Sequence, residues 1–357
     1  MSLQRLEVEH FRNLHSVAIE PGPGLNVVFG PNAAGKTSLL EAIHFLARVR
    51  SFRTTRPEQL IAVDADALVI RAQVGDSQHG IARVGISRSR ERTQVRINGE
   101  EVTSLSVLAR YFPVQVINTE SQRLLADGPT VRRSFIGWGV FHVEHDYHAV
   151  WRRYDRALRQ RNAALRLGDL RLARSWEPEL AAAGELADRA RRWFVEALTA
   201  AAAPLLERWL ADASITLAYR SGWPQERTLA EAYEQGRARE LDVGYTLYGP
   251  HRSELVIRSA GVDAQHRLSR GQQKMTAIAL LLAQAQLVQA AGAGQAILLI
   301  DDLPAELDSE RRKEVLEVLV DVGAQAFITC TERDALVLPA GEAKWFHVEQ
   351  GAYQEVV

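Results

Sequence analysis

Residues Gly30, Pro31, Asn32, Ala33, Ala34, Gly35, Lys36 and Thr37, followed by Ser38, carry the spacing G-x-x-x-x-G-K-[ST]. Glycines let successive backbone N–H groups face one anion, and a helix start adds its dipole. Lys36 can then reach the outer oxygens of a polyphosphate while the Thr37 hydroxyl ligates Mg²⁺. The chemistry expected across Gly30 to Ser38 is binding of ATP; an ordinary glycine-rich helix entry is the alternative. Farther on, Ala296 to Ile300 is an unbroken apolar run ending in Asp301 and Asp302. Such a run suits the buried centre of a parallel sheet, and acids at its C-terminal end fall where these sheets bind ligands. Asp301 is the candidate metal acid, and Asp302 is placed to orient or deprotonate an attacking water. Alone, a strand ending in Asp is often only a turn or a helix cap. A third element, Leu268, Ser269, Arg270, Gly271, Gln272 and Gln273, precedes the apolar stretch Met275 to Leu282. Its Ser and Gly offer a hydroxyl and free N–H groups to an anion, or Ser269 merely caps the helix.

The elements around these residues follow from periodicity. Leu25 to Phe29 reads as a strand running into the glycine-rich turn, and Leu39, Leu40, Ile43, Leu46 and Ala47 recur at helical spacing after it. Alternating patterns predict strands near Leu6 to His10, Val17 to Ile19, Leu68 to Val74, Ile81 to Ile86 and Thr93 to Ile97, with Asn98-Gly99 as a tight turn. From about Glu120 to Ala213 the chain becomes Ala-, Leu- and Arg-rich, broken by Gly128-Pro129, Gly168 and Pro204. Strand patterns return at Ile215 to Tyr219, Thr246 to Tyr248, Glu254 to Ile257, Ala296 to Ile300 and Ala324 to Ile328. The expected class is α/β: residues 1–118 and 214–357 form one nucleotide-type domain, interrupted by a mostly helical lobe at 119–213. No heptad run is long enough for a coiled-coil arm.

Composition narrows the partners. The net charge of −1 excludes a uniformly basic nucleic-acid coat, so an anionic partner needs a local patch. Only Lys36, Lys274, Lys313 and Lys344 are lysines; the other basic residues are arginines. Eight of these, Arg152, Arg153, Arg156, Arg159, Arg161, Arg166, Arg171 and Arg174, face only Asp155 and Asp169 along the sequence. Arg48, Arg50, Arg53 and Arg56 form a second cluster, and Arg88, Arg90, Arg92 and Arg96 a third. Guanidinium forks suit phosphate oxygens, so the clusters read as a DNA-facing surface or, individually, as solvated faces. Without a recognition helix or base-reading module, such binding is expected to follow backbone and shape. Cys330 is the one cysteine, which excludes an internal disulfide and a cysteine zinc site and points to a reducing compartment, the cytoplasm. The first twenty residues lack a signal-peptide core, and the apolar stretch Met275 to Ile300 is too interrupted to span a membrane.

The order of the three motifs, closed by Ala305-Glu306-Leu307-Asp308, resembles the ABC-type ATPases. The blocks Gly128 to Phe135, Gln160 to Leu165 and Tyr248 to Arg252, with no coiled coil, resemble the RecF family of bacterial recombination-repair proteins, which have heads like those of SMC proteins; the likeness covers essentially the whole chain. The resemblance implies that Ser269, Arg270, Gly271 and Gln272 are a signature completing a second subunit's ATP site, and that Asp308 is the dimer-loop acid. It makes Gln115 and Glu120 candidates for the loop bridging the ATP site to the helical lobe, with a plain strand residue the stronger reading of Gln115. It further implies a homodimer on Mg-ATP, a weak DNA-stimulated ATPase, and action on double-stranded and gapped DNA with RecR, RecO and RecA. The residues offered for DNA are Arg50, Arg53, Arg56, Arg152, Arg153, Arg156, Arg159 and Arg161. Two positions depart from the transporter pattern. Asp302 stands where those enzymes have Glu, shorter by roughly 1.5 Å, which implies slow turnover. Thr329, Cys330 and Thr331 stand where a switch histidine is expected. The rival reading is the nucleotide-binding subunit of a membrane transporter, which has no use for arginine-rich helices; a scaffold whose ATP site only stabilises the fold is a third.

Overall fold

The computed structural model describes residues 2–76, 80–292, 294–339 and 343–356. The chain divides into two compact units, one of Met1–Ser121 with Val288–Val357 and one of Gln122–Leu287. The first begins with β1 (Ser2–Phe11), β2 (Leu14–Ile19), β3 (Leu25–Phe29), α1 (Lys36–Arg48), β4 (Ala67–Asp76), β5 (Gly80–Ser89), β6 (Thr93–Ile97), β7 (Glu100–Glu101), α2 (Leu105–Tyr111) and β8 (Val114–Ile117). The second holds α3 (Arg123–Ala126), α4 (Pro129–Val143), α5 (Tyr147–Arg166), α6 (Leu170–Ser175), α7 (Glu177–Leu210), β9 (Ile215–Arg220), α8 (Leu229–Val243), β10 (Glu254–Ser259), β11 (Val262–Asp263), α9 (Ala264–Arg267) and most of α10 (Arg270–Ala290). The first unit is completed by β12 (Ile297–Ile300), α11 (Leu303–Glu306), α12 (Ser309–Val322), β13 (Gln325–Cys330), β14 (Lys344–Glu349) and β15 (Ala352–Val356).

Two sheets build the first unit. One is antiparallel, in the order β2-β1-β4-β5-β6-β7; the other is ordered β15-β14-β3-β13-β12-β8 and is parallel except for the β14–β15 pair. The strands at the centre of the parallel sheet read as apolar runs because both faces are covered: β12 and all of β13 are fully buried. Helix α1 is buried nearly all round, and its Leu39, Leu40, Ile43, Phe45 and Leu46 share one core with the inward residues of β1, β4 and β5. The antiparallel strands alternate instead, with Val84 and Ile86 of β5 in that core, Ala82 buried on the same face and Arg83 exposed.

The second unit departs from the sequence expectations in three places. It continues past residue 213 to Leu287, because β9 packs on α7 and β10 on α4, so these strands belong with the helices. Pro204 does not end a helix but lies inside the 34-residue α7. Thr246 to Tyr248 is not a strand, since side chains satisfy its backbone: Thr246 N–H donates to Asn162 Oδ1 (2.8 Å) and Leu247 N–H to Glu240 Oε1 (2.7 Å).

Arg161 is likewise not a surface cation. It is fully buried, with Nη2 donating to Glu240 (2.6 Å) and Glu177 (3.0 Å), and Nη1 to Thr246 Oγ1 (2.8 Å). The Arg161→Ala change leaves Glu240 buried without its counter-ion, so urea denaturation is expected to show a loss of about 3–5 kcal/mol. A loss under about 1 kcal/mol rules out this structural role. The block at Gly249 to Arg252 is also internal framework: Arg191 donates to Pro250 O (2.6 Å) and Ser253 Oγ (3.0 Å), and His251 Nδ1 lies 2.5 Å from Tyr154 OH. Burial, opposed by a backbone hydrogen bond, lowers the His251 pKa to about 4.

Candidate functional site: a phosphate loop over paired acids

Strand β3 delivers the chain into a loop whose backbone only small residues fit. Gly30 has φ 154°, and a Cβ there would lie 2.1 Å from the Val348 carbonyl oxygen of β14. Ala33 has φ 62° and Gly35 φ 118°. The loop is tied from outside: Asn13 Nδ2 donates to Ala33 O (3.0 Å), Gly351 N–H to Ala34 O (2.8 Å) and Tyr353 OH to Gly35 O (2.8 Å). Asn13 Oδ1 also accepts from Ser38 Oγ (2.7 Å), so one amide braces both the loop and the start of α1. Lys36 Nζ donates to Gly30 O (2.7 Å) and Pro31 O (2.9 Å), which sets the ammonium inside the loop. Burial lowers its pKa, opposed by the nearby carboxylates of Asp302 and Asp301.

Beneath the loop, one helix start and two strands bring oxygen atoms together. Thr37 Oγ1, at the start of α1, lies 2.9 and 3.1 Å from the two carboxylate oxygens of Asp301, which follows β12. Thr329 Oγ1, from β13, donates to Asp301 Oδ1 (2.8 Å) and accepts from Asp302 N–H (2.7 Å). Asp302 takes a left-handed backbone at φ 52°, a conformation that costs a non-glycine residue about 1–3 kcal/mol unless its surroundings impose it. The Thr329 hydroxyl is part of that surrounding. A hydroxyl and a carboxylate at this spacing are hard oxygen donors of the kind Mg²⁺ takes alongside phosphate and water. Among the described residues no cluster of three His, Cys, Asp or Glu could hold a metal on protein ligands alone.

Loop and acids face a cleft of about 700 Å³ whose walls include Arg12, Asn13, Asn32, Lys36, Thr37, Arg53, Gln59, Ile61, Asp301, Asp302 and Thr329. This volume is in the range of small-ligand sites. Arg12, Asn13, Gln59, Ile61 and Thr329 carry no motif, and only the fold brings them here. Arg12 forms a two-point pair with fully buried Glu41 (2.9 and 3.0 Å), and Arg53 approaches the same carboxylate at 3.5 Å. Arg53 thus stands at the wall of the cleft, with its side chain about half exposed.

Valine in place of Thr329 keeps the shape but leaves the Asp302 N–H without its acceptor, a loss of about 1–3 kcal/mol. Single-turnover hydrolysis by Thr329→Val should fall roughly 10- to 100-fold, with Thr329→Ser restoring it. Equal rates for all three proteins would show that the hydroxyl does not position the acids.

The remaining expected residues lie in separate places. Ser269 caps α10, accepting from Gln272 N–H (3.2 Å) while Gln272 Oε1 accepts from Ser269 N–H (3.0 Å). Arg270 and Gly271 are exposed, and a Cβ on Gly271 would meet nothing within 4 Å. Asp308 caps α12 through Arg311 N–H (2.9 Å). Glu120 is exposed in the turn after β8, but Gln115 is buried within β8 opposite Leu298, so it is a strand residue rather than part of a loop. Arg50, Arg56, Arg152 and Arg156 are exposed. Arg153 pairs with Glu179 (2.8 Å) and Arg159 with Asp155 (3.0 Å).

A parallel sheet with a glycine-rich loop after one strand and paired acids after another, and an antiparallel sheet beside it, define the fold of an ABC-type ATPase head. The family model described as the RecF/RecN/SMC N terminal domain matches residues 2–353. The chain belongs to this family, on its RecF side. It is 42% identical to the DNA replication and repair protein RecF of Pseudomonas fluorescens, over 98% of this chain and 97% of that one. Its fold is similar to a solved structure of the recombination mediator protein RecF with ATP from the RecFOR pathway (TM-score 0.87, 24% identity, 99% of this chain and 97% of that one). It also resembles an Smc head domain from Pyrococcus furiosus (TM-score 0.59, 14% identity, 99% and 95%).

Proposed function

We propose that this chain is an ATP-dependent DNA clamp of recombinational repair: two copies close on two Mg-ATP, embrace duplex DNA near single-strand gaps, and release it on slow hydrolysis. The observation that carries this reading is the convergence of Thr37, Asp301 and Thr329 beneath the Gly30 to Lys36 loop. In this reading the loop amides and Lys36 hold the phosphates, and Thr37 and Asp301 hold Mg²⁺, which would neutralise phosphate charge. Asp302 orients or deprotonates the attacking water. Its side chain is one bond shorter than Glu, consistent with a slow switch. Exposed Ser269 and Gly271 are free to meet the nucleotide of a second copy, and a hydroxyl now used as a cap would turn to the γ-phosphate.

Exposed Arg50, Arg56, Arg152 and Arg156 are the retained contacts to the DNA backbone, with Arg153 and Arg159 available once they exchange their exposed carboxylates. RecR, RecO and RecA follow as partners in this reading from the likeness to proteins of the RecFOR pathway. The deciding experiment measures sedimentation and DNA binding with a slowly hydrolysed ATP analogue, for the wild type and Lys36→Arg. Dimerisation and DNA retention that need the analogue, and are lost in Lys36→Arg, support the clamp. A monomer that holds DNA equally well without nucleotide would falsify it.

A further inference from the structure

The outer face of the antiparallel sheet holds a trough of about 580 Å³ that the nucleotide chemistry does not use. Its floor is Gly85 of β5. The strand registers place Arg71 of β4 and Arg96 of β6 directly opposite Gly85 on either side, and Arg83 lies two residues along β5 on the same face. A Cβ on Gly85 would meet nothing within 4 Å, so the space over this residue, between the strands that carry Arg71 and Arg96, is open down to the backbone. Val69, Ser87 and Gln94 form the next row across the three strands, and Arg5 and Glu7 line the far wall. Arg71 is paired with Glu9, and Arg5 with Glu7. Among the described residues, no ion pair engages Arg83 or Arg96.

We propose that this trough binds an extended acidic peptide segment of a partner protein, one side-chain carboxylate descending over Gly85 between Arg71 and Arg96. Magnitudes decide against nucleic acid. With Glu7, Glu9 and Glu20 set against Arg5 and Arg71, and the Arg92–Glu101 pair beside Arg96, the face has a surplus of one positive charge, carried by Arg83 and Arg96, unpaired among the described residues, whereas duplex binders commonly neutralise roughly 6–10 phosphates. Single strands are held by aromatic stacking, and no aromatic residue lines the trough. A phosphate on the convex surface of a duplex meets only the tips of the arginines, while a peptide side chain can enter the gap. Spacing agrees: alternate side chains of an extended peptide project to one side about 6.8 Å apart, matching the rows of the sheet below. Carboxylate capture by clustered arginines is an established recognition mode.

The test uses the full-length protein and a fluorescein-labelled hexapeptide of alternating aspartate and leucine, with the asparagine-leucine peptide and a labelled 30-base-pair duplex as comparisons. Gly85→Leu fills the trough while leaving every charge in place, and it is expected to fold normally since its Cβ meets nothing. Fluorescence anisotropy should show the acidic peptide weakened about tenfold or more by Gly85→Leu and by Arg83→Gln/Arg96→Gln. The asparagine peptide should bind no variant, and duplex affinity with ATP should not change in Gly85→Leu. Undiminished peptide binding by Gly85→Leu overturns the proposal. So does a loss of duplex binding with no loss of peptide binding, which would assign the face to nucleic acid. Because this face shares no residue with the cleft under the phosphate loop, neither outcome depends on the clamp reading.

Discussion

Replacing Asp301 with asparagine is expected to cut steady-state ATP hydrolysis to about 1% of wild type or less, by removing the charge proposed to hold Mg²⁺. The carboxylate receives two hydroxyls, Thr37 from α1 and Thr329 from β13. Asparagine keeps one acceptor oxygen, but its amide presents N–H groups to the position a cation would take. Nucleotide affinity measured without magnesium should change less than threefold, because Lys36 and the loop amides are untouched. Adding magnesium should tighten binding only in the wild type. Isothermal titration with and without the metal separates the two, and an Asp301→Asn protein that still gains affinity from magnesium removes Asp301 from the metal site.

The Gly30→Ala substitution is expected to cost more than about 3 kcal/mol of folding stability, large for one methyl group. The added carbon would sit 2.1 Å from the Val348 carbonyl oxygen at a backbone angle of φ 154°, so sterics and conformation oppose it together. Relief requires β14 to move away from β3, with which it pairs from Lys344 to His347. Urea unfolding followed by circular dichroism measures the loss. A loss below about 1 kcal/mol would mean that the loop relaxes independently of β14.

These two residues were legible in the sequence because their signals are local. A phosphate loop needs its glycines, lysine and hydroxyl within eight positions, and an apolar strand announces the acids at its end. Thr329 was visible only as an occupant of a place where histidine was expected; its contacts with Asp301 and Asp302 depend on the pairing of β12 with β13. Arg12 and Asn13 carried no signal at all, since their partners Glu41, Ala33 and Ser38 lie across a sheet-to-helix packing. Arg161 was misread by composition, yet the periodicity contained the answer. The buried positions of α5 are Tyr147, Tyr154, Ala157, Arg161, Ala164 and Leu165, so Arg161 falls on the apolar stripe. The end of the helical lobe was misplaced because the strand patterns after Ser214 look the same whichever unit they join.

The position of β3 has a consequence for synthesis on the ribosome. Its only neighbours in the sheet are β13 and β14, so Ala326 and Lys344 pair with residues about 300 positions earlier in the chain. At roughly 5–20 residues per second, the strand that carries the phosphate loop waits on the order of 15–60 s for either partner to emerge. The bonds from Gly351 and Tyr353 that fasten the loop come later still. A nascent or prematurely terminated chain therefore contains the whole nucleotide motif without the means to hold it in shape, and nucleotide competence is acquired only when translation has passed the last strand.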